Sequence, residues 1–275
     1  VRVKYRPKRK FMKVCGFSFV RNGVSFDYPF EEAIRSVLPL CDEVIVAVGN
    51  SVDGTFERVK AIHPKVKAIA TQWDESLRDG GRVLAAETYK AFQAIPTEYD
   101  WAFYIQADEV LHEKYVSIIR EAMQQYLHHH KVDGLLFNYV HFFGSYDFIG
   151  SSYSWYRKEI RVIRNRKDIY SYRDAQGFRK AGNEKLSVKQ VDAEIFHYGW
   201  TRNHAAVKQK EQFKIRYYNG DTSPAPVGSE DIFEYSRSGE PVKRFTGTHP
   251  AVMLKRINLA ATPACRSLRM ISYKD

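Results

Sequence analysis

The chain has 275 residues, of which 44% are hydrophobic and 27% charged, and a formal net charge of +11. A chain this long buries a core without disulfide staples, and the composition excludes a collagen, a disulfide-rich mini-protein and a wholly disordered chain. No apolar run approaches the ~20 residues that span a bilayer, and the basic segment VRVKYRPKRKFMK lacks the apolar core of a secretory signal, so a cytoplasmic location is expected.

Predicted elements alternate in the first half. Lys13–Val20 reads as a strand, and residues 28–38 as a helix with apolar positions at Phe30, Ala33, Ile34, Val37 and Leu38, ended by Pro39. Glu43–Val48 is a buried strand, Thr55–Ile62 a helix that Asp53 or Thr55 can cap, Lys65–Ala70 a strand, Gly81–Ala94 a helix, Asp100–Ile105 a strand and His112–Leu127 a helix. This order predicts an α/β fold with a mostly parallel central sheet flanked by helices. Ligands of such sheets sit beyond the carboxyl ends of the strands. The second half is less regular: strands at 132–140, 159–164 and 194–198, a polar helix at 202–217, a Gly/Pro/Ser-rich loop at 219–248 and a last helix at 249–257. The His128–His130 run reads as an exposed helix end. Residues 12–200 are expected to form the catalytic domain, and 201–275 to be helices and loops packing on it.

Three cysteines, Cys15, Cys41 and Cys265, lie far apart with no C-x-x-C pair. They read as small buried hydrophobes in a reducing compartment rather than a zinc or redox site. Residues 1–13 carry seven Lys/Arg and no acid, and residues 154–216 carry sixteen Lys/Arg against seven Asp/Glu. Basic segments attract phosphates. The first reads as solvated surface, with peripheral contact to anionic membrane as a second role. In the other segment interleaved aromatics favour a binding role.

Two segments after strands carry chemistry. In FYIQADEVLH (103–112) an apolar strand delivers Asp108 and Glu109 to the sheet edge. Carboxylate oxygens there suit Mg²⁺ or Mn²⁺ and a diphosphate, while an Asp capping the next helix accounts for them equally well. In VGNSVDGT (48–55) short polar residues and glycine allow close approach of a nucleoside, or simply make a strand-to-helix turn.

Together with FSFVRN (17–22) and GGRVLAAETYKAF (80–92), these segments resemble the motifs of the family 2 glycosyltransferases, which have the GT-A fold, over roughly residues 12–200. The resemblance implies inverting transfer of a sugar from a nucleotide-sugar donor, with UDP the commonest leaving group, to a glycan or lipid-linked acceptor. It also implies a divalent cation, Mn²⁺ or Mg²⁺, bridging the diphosphate and Asp108. Phe19, Val20, Arg21, Asn50, Asp53, Arg82, Gln106 and Ala107 would line the nucleotide. Three departures stand out: Val48 and Gly49 replace the family's Asp pair, Gln106 replaces the first Asp of Asp-x-Asp, and no Glu-Asp pair marks the catalytic base.

The missing charge at Gln106 raises the weight of His197 in FHYGW (196–200), either a further metal ligand, which would favour Mn²⁺, or a core histidine. The base should be a carboxylate that deprotonates an acceptor hydroxyl: Asp174 first, with Glu184 and Asp147 as alternatives. Trp73, Trp155 and Arg157 are placed to meet sugar or phosphate, or to pack a floor over the sheet. The competing readings are a nucleotidyltransferase, which usually carries a glycine-rich loop where this chain has Phe19–Gly23, and a basic nucleic-acid-binding protein, for which no recognised motif is present. No specific nucleic acid is expected.

Overall fold

The computed structural model describes residues 11–77, 79–201, 206, 216–217 and 241–260. The basic segment up to residue 10, Arg78, Cys265, most of the expected helix at 202–217 and most of the loop at 219–248 lie outside the described residues.

Strands β1 (Val14–Val20), β2 (Glu43–Val48), β3 (Val66–Ala70) and β4 (Trp101–Tyr104) lie side by side in the order β3-β2-β1-β4, all parallel. Helices α1 (Phe30–Val37), α2 (Thr55–Lys60) and α3 (Arg82–Gln93) connect them. β1, β2 and β4 are apolar and buried almost throughout because both faces are covered, while β3, at the sheet edge, leaves Lys67 and Ala70 exposed. Alternate residues divide the core. Val14, Val44, Val46 and Val48 pack with Phe30, Ala33, Ile34 and Val37 of α1, while Cys15, Phe17, Ile45, Ala47, Ala102 and Tyr104 pack with Ala91 and Phe92 of α3. Cys15 and Cys41 are buried free thiols. Burial pushes the Cys15 thiol up to about 12 and raises that of Cys41 as well, so both act as small hydrophobes.

Past β4 the sheet becomes mixed. Its further strands are β5 (Glu109–Leu111), β6 (Gly134–Phe143), β7 (Phe148–Gly150), β8 (Lys158–Arg164), β12 (Val188–Trp200) and β13 (Val242–Arg244). Antiparallel β8 lies between β4 and β6, β12 runs parallel to β6, and β5 pairs antiparallel with β12. Strands β9 (Ile169–Tyr172), β10 (Gly177–Lys180) and β11 (Glu184–Lys185) form a separate antiparallel sheet. Helix α4 (Val116–Gln125) follows a 3₁₀ turn at Glu113–Tyr115, and α5 (Leu254–Ala260) follows one at Ala251–Met253. The strand expected at 194–198 extends over 188–200 because it has two partners, β6 and β5. His128–His130 form an exposed turn past α4. Among the described residues no helix is long and apolar enough to cross a membrane.

Candidate active site

Two strand registers assemble the centre of the site. The antiparallel β5–β12 pair sets Glu109 opposite His197, so Asp108, one residue earlier, reaches the same point, and its carbonyl accepts the Tyr198 amide at 2.8 Å. The parallel β12–β6 pair sets His197 opposite His141. As a result His197 Nε2 lies 3.5 Å from Asp108 Oδ2, and its Nδ1 lies 3.1 Å from His141 Nδ1. All three side chains are buried, with 4–8% exposure.

The proton positions follow from hydrogen-bond accounting. His141 Nε2 lies 2.7 Å from the Tyr156 carbonyl, which only accepts, so His141 carries its proton there. Burial and the neighbouring His197 depress His141 to about 3, so the ring is neutral and its Nδ1 is an acceptor. His197 must then donate from Nδ1, and in its neutral form it turns a lone pair at Nε2 toward the Asp108 carboxylate. Two electron-rich groups facing each other at 3.5 Å form a ready pair of ligands for a divalent cation. His141 is itself held between Trp155, at 4.8 Å, and Tyr139, at 5.5 Å, both stacked on it.

The second carboxylate of the motif has a different job. Glu109 is fully buried and accepts from Arg161 Nε and Nη2 at 2.9 and 2.7 Å, from Tyr139 Oη at 2.8 Å and from the Gln106 amide at 3.1 Å. Arg161 lies between the rings of Tyr104 and Tyr139, 5.1 and 5.2 Å from their centres. This pair anchors the loop that presents Asp108. Gln106 donates from Nε2 to Tyr104 Oη at 3.2 Å and to the Ala175 carbonyl at 3.1 Å. An aspartate has no N–H to offer there, which accounts for the amide at this position. Ala107 packs in the core.

The loops after β1, β2 and β3 are tied to one another. Asn22 donates its amide to Ser51 Oγ and accepts the Val52 amide. Asp53 accepts the amides of Ser25 and Thr55 and the Thr55 hydroxyl. Burial works against its charge, but the bonds from Thr55 and Ser25 win and hold its carboxyl below the usual value. Arg21 lies over the Trp73 ring at 5.0 Å and bonds to Glu75 and Tyr217 Oη. A Cβ at Gly49 would fall 2.3 Å from Trp73 Nε1; the indole occupies the space a side chain there would need, which explains glycine at one of the two expected Asp positions. Phe19 packs against Trp73 at 6.4 Å, Val20 is buried in the core, and Asn50 and Arg82 are exposed at the rim.

The other sequence candidates do not meet Asp108 or His197 in any hydrogen bond or ion pair among the described residues. Arg157 is exposed, its guanidinium 5.2 Å from the Tyr153 ring. Asp174 is half-buried in the β9–β10 turn, Glu184 is exposed with Lys180 at 4.0 Å, and Asp147 is exposed. Sequence reading singled out Asp108 and His197, which meet. It did not single out His141, Tyr139, Glu159 or Arg161. An available signal was a polar residue inside an apolar run, as His141 is in Tyr139–Phe143 of β6; β8, with Lys158, Glu159, Arg161 and Arg164 among its seven residues, gave Arg161 no such signal.

Among the described residues no group of three or more His, Cys, Asp or Glu side chains is gathered that could hold a metal. Mg²⁺ and Mn²⁺ commonly complete their coordination with water or substrate oxygens.

No protein-family model matches the chain, and no curated protein matches it. Among solved structures it is similar to S. aureus TarS, with 16% identity and a TM-score of 0.45, over 74% of this chain and 39% of that one. It is also similar to residues 1–349 of S. aureus TarS in complex with UDP-GlcNAc, with 15% identity and a TM-score of 0.43, over 74% and 66% of the two chains. A third similarity is to glucosyl-3-phosphoglycerate synthase from Mycobacterium tuberculosis in complex with Mn²⁺, UDP and phosphoglyceric acid, with 18% identity and a TM-score of 0.32, over 47% and 43%. The chain thus spans well under half of the TarS chain.

Proposed function

We propose that the protein is a glycosyltransferase that uses a nucleotide-sugar donor, with UDP as the leaving group, and a divalent cation held by Asp108 and His197. The observation that carries the reading is His197 Nε2 set 3.5 Å from Asp108 Oδ2, at the carboxyl edge of a parallel sheet. The motif resemblance of residues 12–200 supports it independently.

In this reading the cation, Mn²⁺ by the imidazole in its donor set, supplies Lewis-acid neutralisation of the departing diphosphate. The chain's own residues do the rest. Glu109 and Arg161 hold the Asp108 loop rigid, and His141 fixes the His197 tautomer and ring plane. Gln106 secures the loop to the β9–β10 turn. The wall of Arg21, Trp73, Glu75 and Tyr217 bounds the space where the nucleoside would lie. Transfer inverts the anomeric carbon when an acceptor oxygen attacks opposite the leaving phosphate.

A thermal-shift panel of nucleotide sugars, with and without Mn²⁺, tests this. A ligand that binds only the native state raises the melting temperature. A UDP-sugar is expected to do so only with Mn²⁺, and Asp108→Asn should abolish the metal-dependent part. Failure of every nucleotide sugar to shift the wild type in a metal-dependent way would overturn the reading.

A further inference from the structure

The β9–β10 hairpin closes over the start of β8 and leaves a cleft of about 370 Å³. Glu159 lies against its floor. Gln176 Nε2 donates to Glu159 Oε1 at 3.2 Å, while Oε2 takes no hydrogen bond among the described residues. A Cβ at Gly177 would sit 3.4 Å from Oε2, and both residues line the cleft. Burial pushes the Glu159 carboxyl up to about 7, against the pull of Arg161 and Gln176 and with smaller upward pushes from Glu109 and Asp174. That is the range in which a carboxylate exchanges protons near neutrality.

Arg173, Arg179 and Lys185 line the same cleft. Among the described residues none of the three has a carboxylate within ion-pair distance. Arg173 and Arg179 lie 5.2 and 4.7 Å from the Tyr172 ring centre. The turn between β9 and β10 carries Arg173 and Ala175 at φ of 55° and 65°, a left-handed conformation that non-glycine residues hold only when their surroundings impose it. Those surroundings are the bonds from Gln106 to the Ala175 carbonyl and from Arg161 Nη1 to the Gln176 carbonyl, 3.1 Å each. The cleft is therefore pinned to the loop that presents Asp108.

Resting on the glycosyltransferase reading, we infer that this cleft is the acceptor site, that the acceptor carries an oxyanion group as well as hydroxyls, and that Glu159 receives the proton of the reacting hydroxyl. Three cations lining one cleft, with no carboxylate within ion-pair distance among the described residues, leave positive charge that an oxyanion neutralises through charge-assisted hydrogen bonds. In the step, the acceptor O–H bond breaks and its proton passes to Glu159 Oε2. The oxygen forms the new bond to the anomeric carbon as the bond from that carbon to the phosphate oxygen breaks, its electron pair leaving with the nucleoside diphosphate. Among the sequence candidates, Glu184 is exposed and faces Lys180 outside the cleft, and Asp174 stands on the turn rather than under it.

The test uses inorganic phosphate and glycerol 1-phosphate as probes, with glycerol as the uncharged control, followed by NMR at the Gly177 amide and the arginine Nε–H groups. Both anions should perturb these signals and glycerol should not. The double variant Arg173→Ala/Arg179→Ala should bind phosphate at least about tenfold more weakly. No perturbation by either anion, or unchanged affinity in the double variant, overturns the site. Glu159→Gln should keep phosphate binding and Mn²⁺-dependent UDP binding. It should also lower hydrolysis of the UDP-sugar chosen by the panel about 100-fold or more and remove the rise of rate with pH near neutrality. An unchanged rate and pH profile overturn the role of Glu159. Phosphate binding without any metal-dependent UDP binding would overturn the glycosyltransferase reading, and with it the assignment of the cleft to an acceptor.

Discussion

The two rims of the sheet treat their polar groups differently. Over β1, β2 and β3, Asn22, Ser51, Asp53 and Thr55 bond to one another, and Arg21 is met by Trp73, Glu75 and Tyr217. That rim is a wall whose shape is set by internal bonds. Over β8 and the β9–β10 hairpin, Arg173, Arg179 and Lys185 have no carboxylate within ion-pair distance among the described residues, and Glu159 keeps one oxygen without a hydrogen bond there. A surface that satisfies itself provides shape, whereas one that does not is completed from outside. Asp108 and His197 stand between the two, and the Glu109–Arg161 pair beneath them belongs to the self-satisfied kind.

The largest way to break this contrast is Arg161→Ala. It leaves Glu109 buried without its cation and should cost about 3–5 kcal/mol, read from urea denaturation at neutral pH. A loss below about 1 kcal/mol would show that Tyr139 and the Gln106 amide suffice. Next comes His141→Leu. It frees His197 to carry its proton on Nε2 and bond to Asp108, so Mn²⁺ affinity should fall roughly 10–100-fold by calorimetry. His141→Gln, whose amide both accepts and donates, should restore most of it, and equal affinity in all three proteins would return His141 to a packing role. The smallest effect is expected from Asp53→Ala. Loss of its bonds to Ser25 and Thr55 should cost about 1 kcal/mol of stability, with UDP affinity changed less than about twofold. A large loss of UDP affinity at unchanged stability would instead make Asp53 a nucleoside contact.

Much of the first half was legible in the chain. Glu43–Val48 was read at its observed bounds, and Val14–Val20, Val66–Ala70 and Arg82–Gln93 to within a residue at either end, because strands buried on both faces are unbroken apolar runs and α1 and α3 repeat at helical spacing. The strands β5, β7 and β9–β11 were not legible. Each is two to four residues long, too short for a period to show, and exists because a neighbour supplies its hydrogen bonds. That His197 lies on a strand was readable, although the strand runs on to Trp200, but its contact with His141 was not, since 56 residues separate them.

The chain by itself determined the alternating βα order, the burial of both faces of β1, β2 and β4 and the delivery of Asp108 to the carboxyl edge of the sheet, since these follow from local apolar patterning and short connections. Tertiary structure alone decided which carboxylate is spent on an internal arginine and which faces an imidazole. It also decided which nitrogen of His197 faces His141, and which cations have no carboxylate within ion-pair distance among the described residues. The reason is that hydrogen bonds and ion pairs act over about 3 Å, so they depend on the strand register and hairpin packing that bring distant segments into contact.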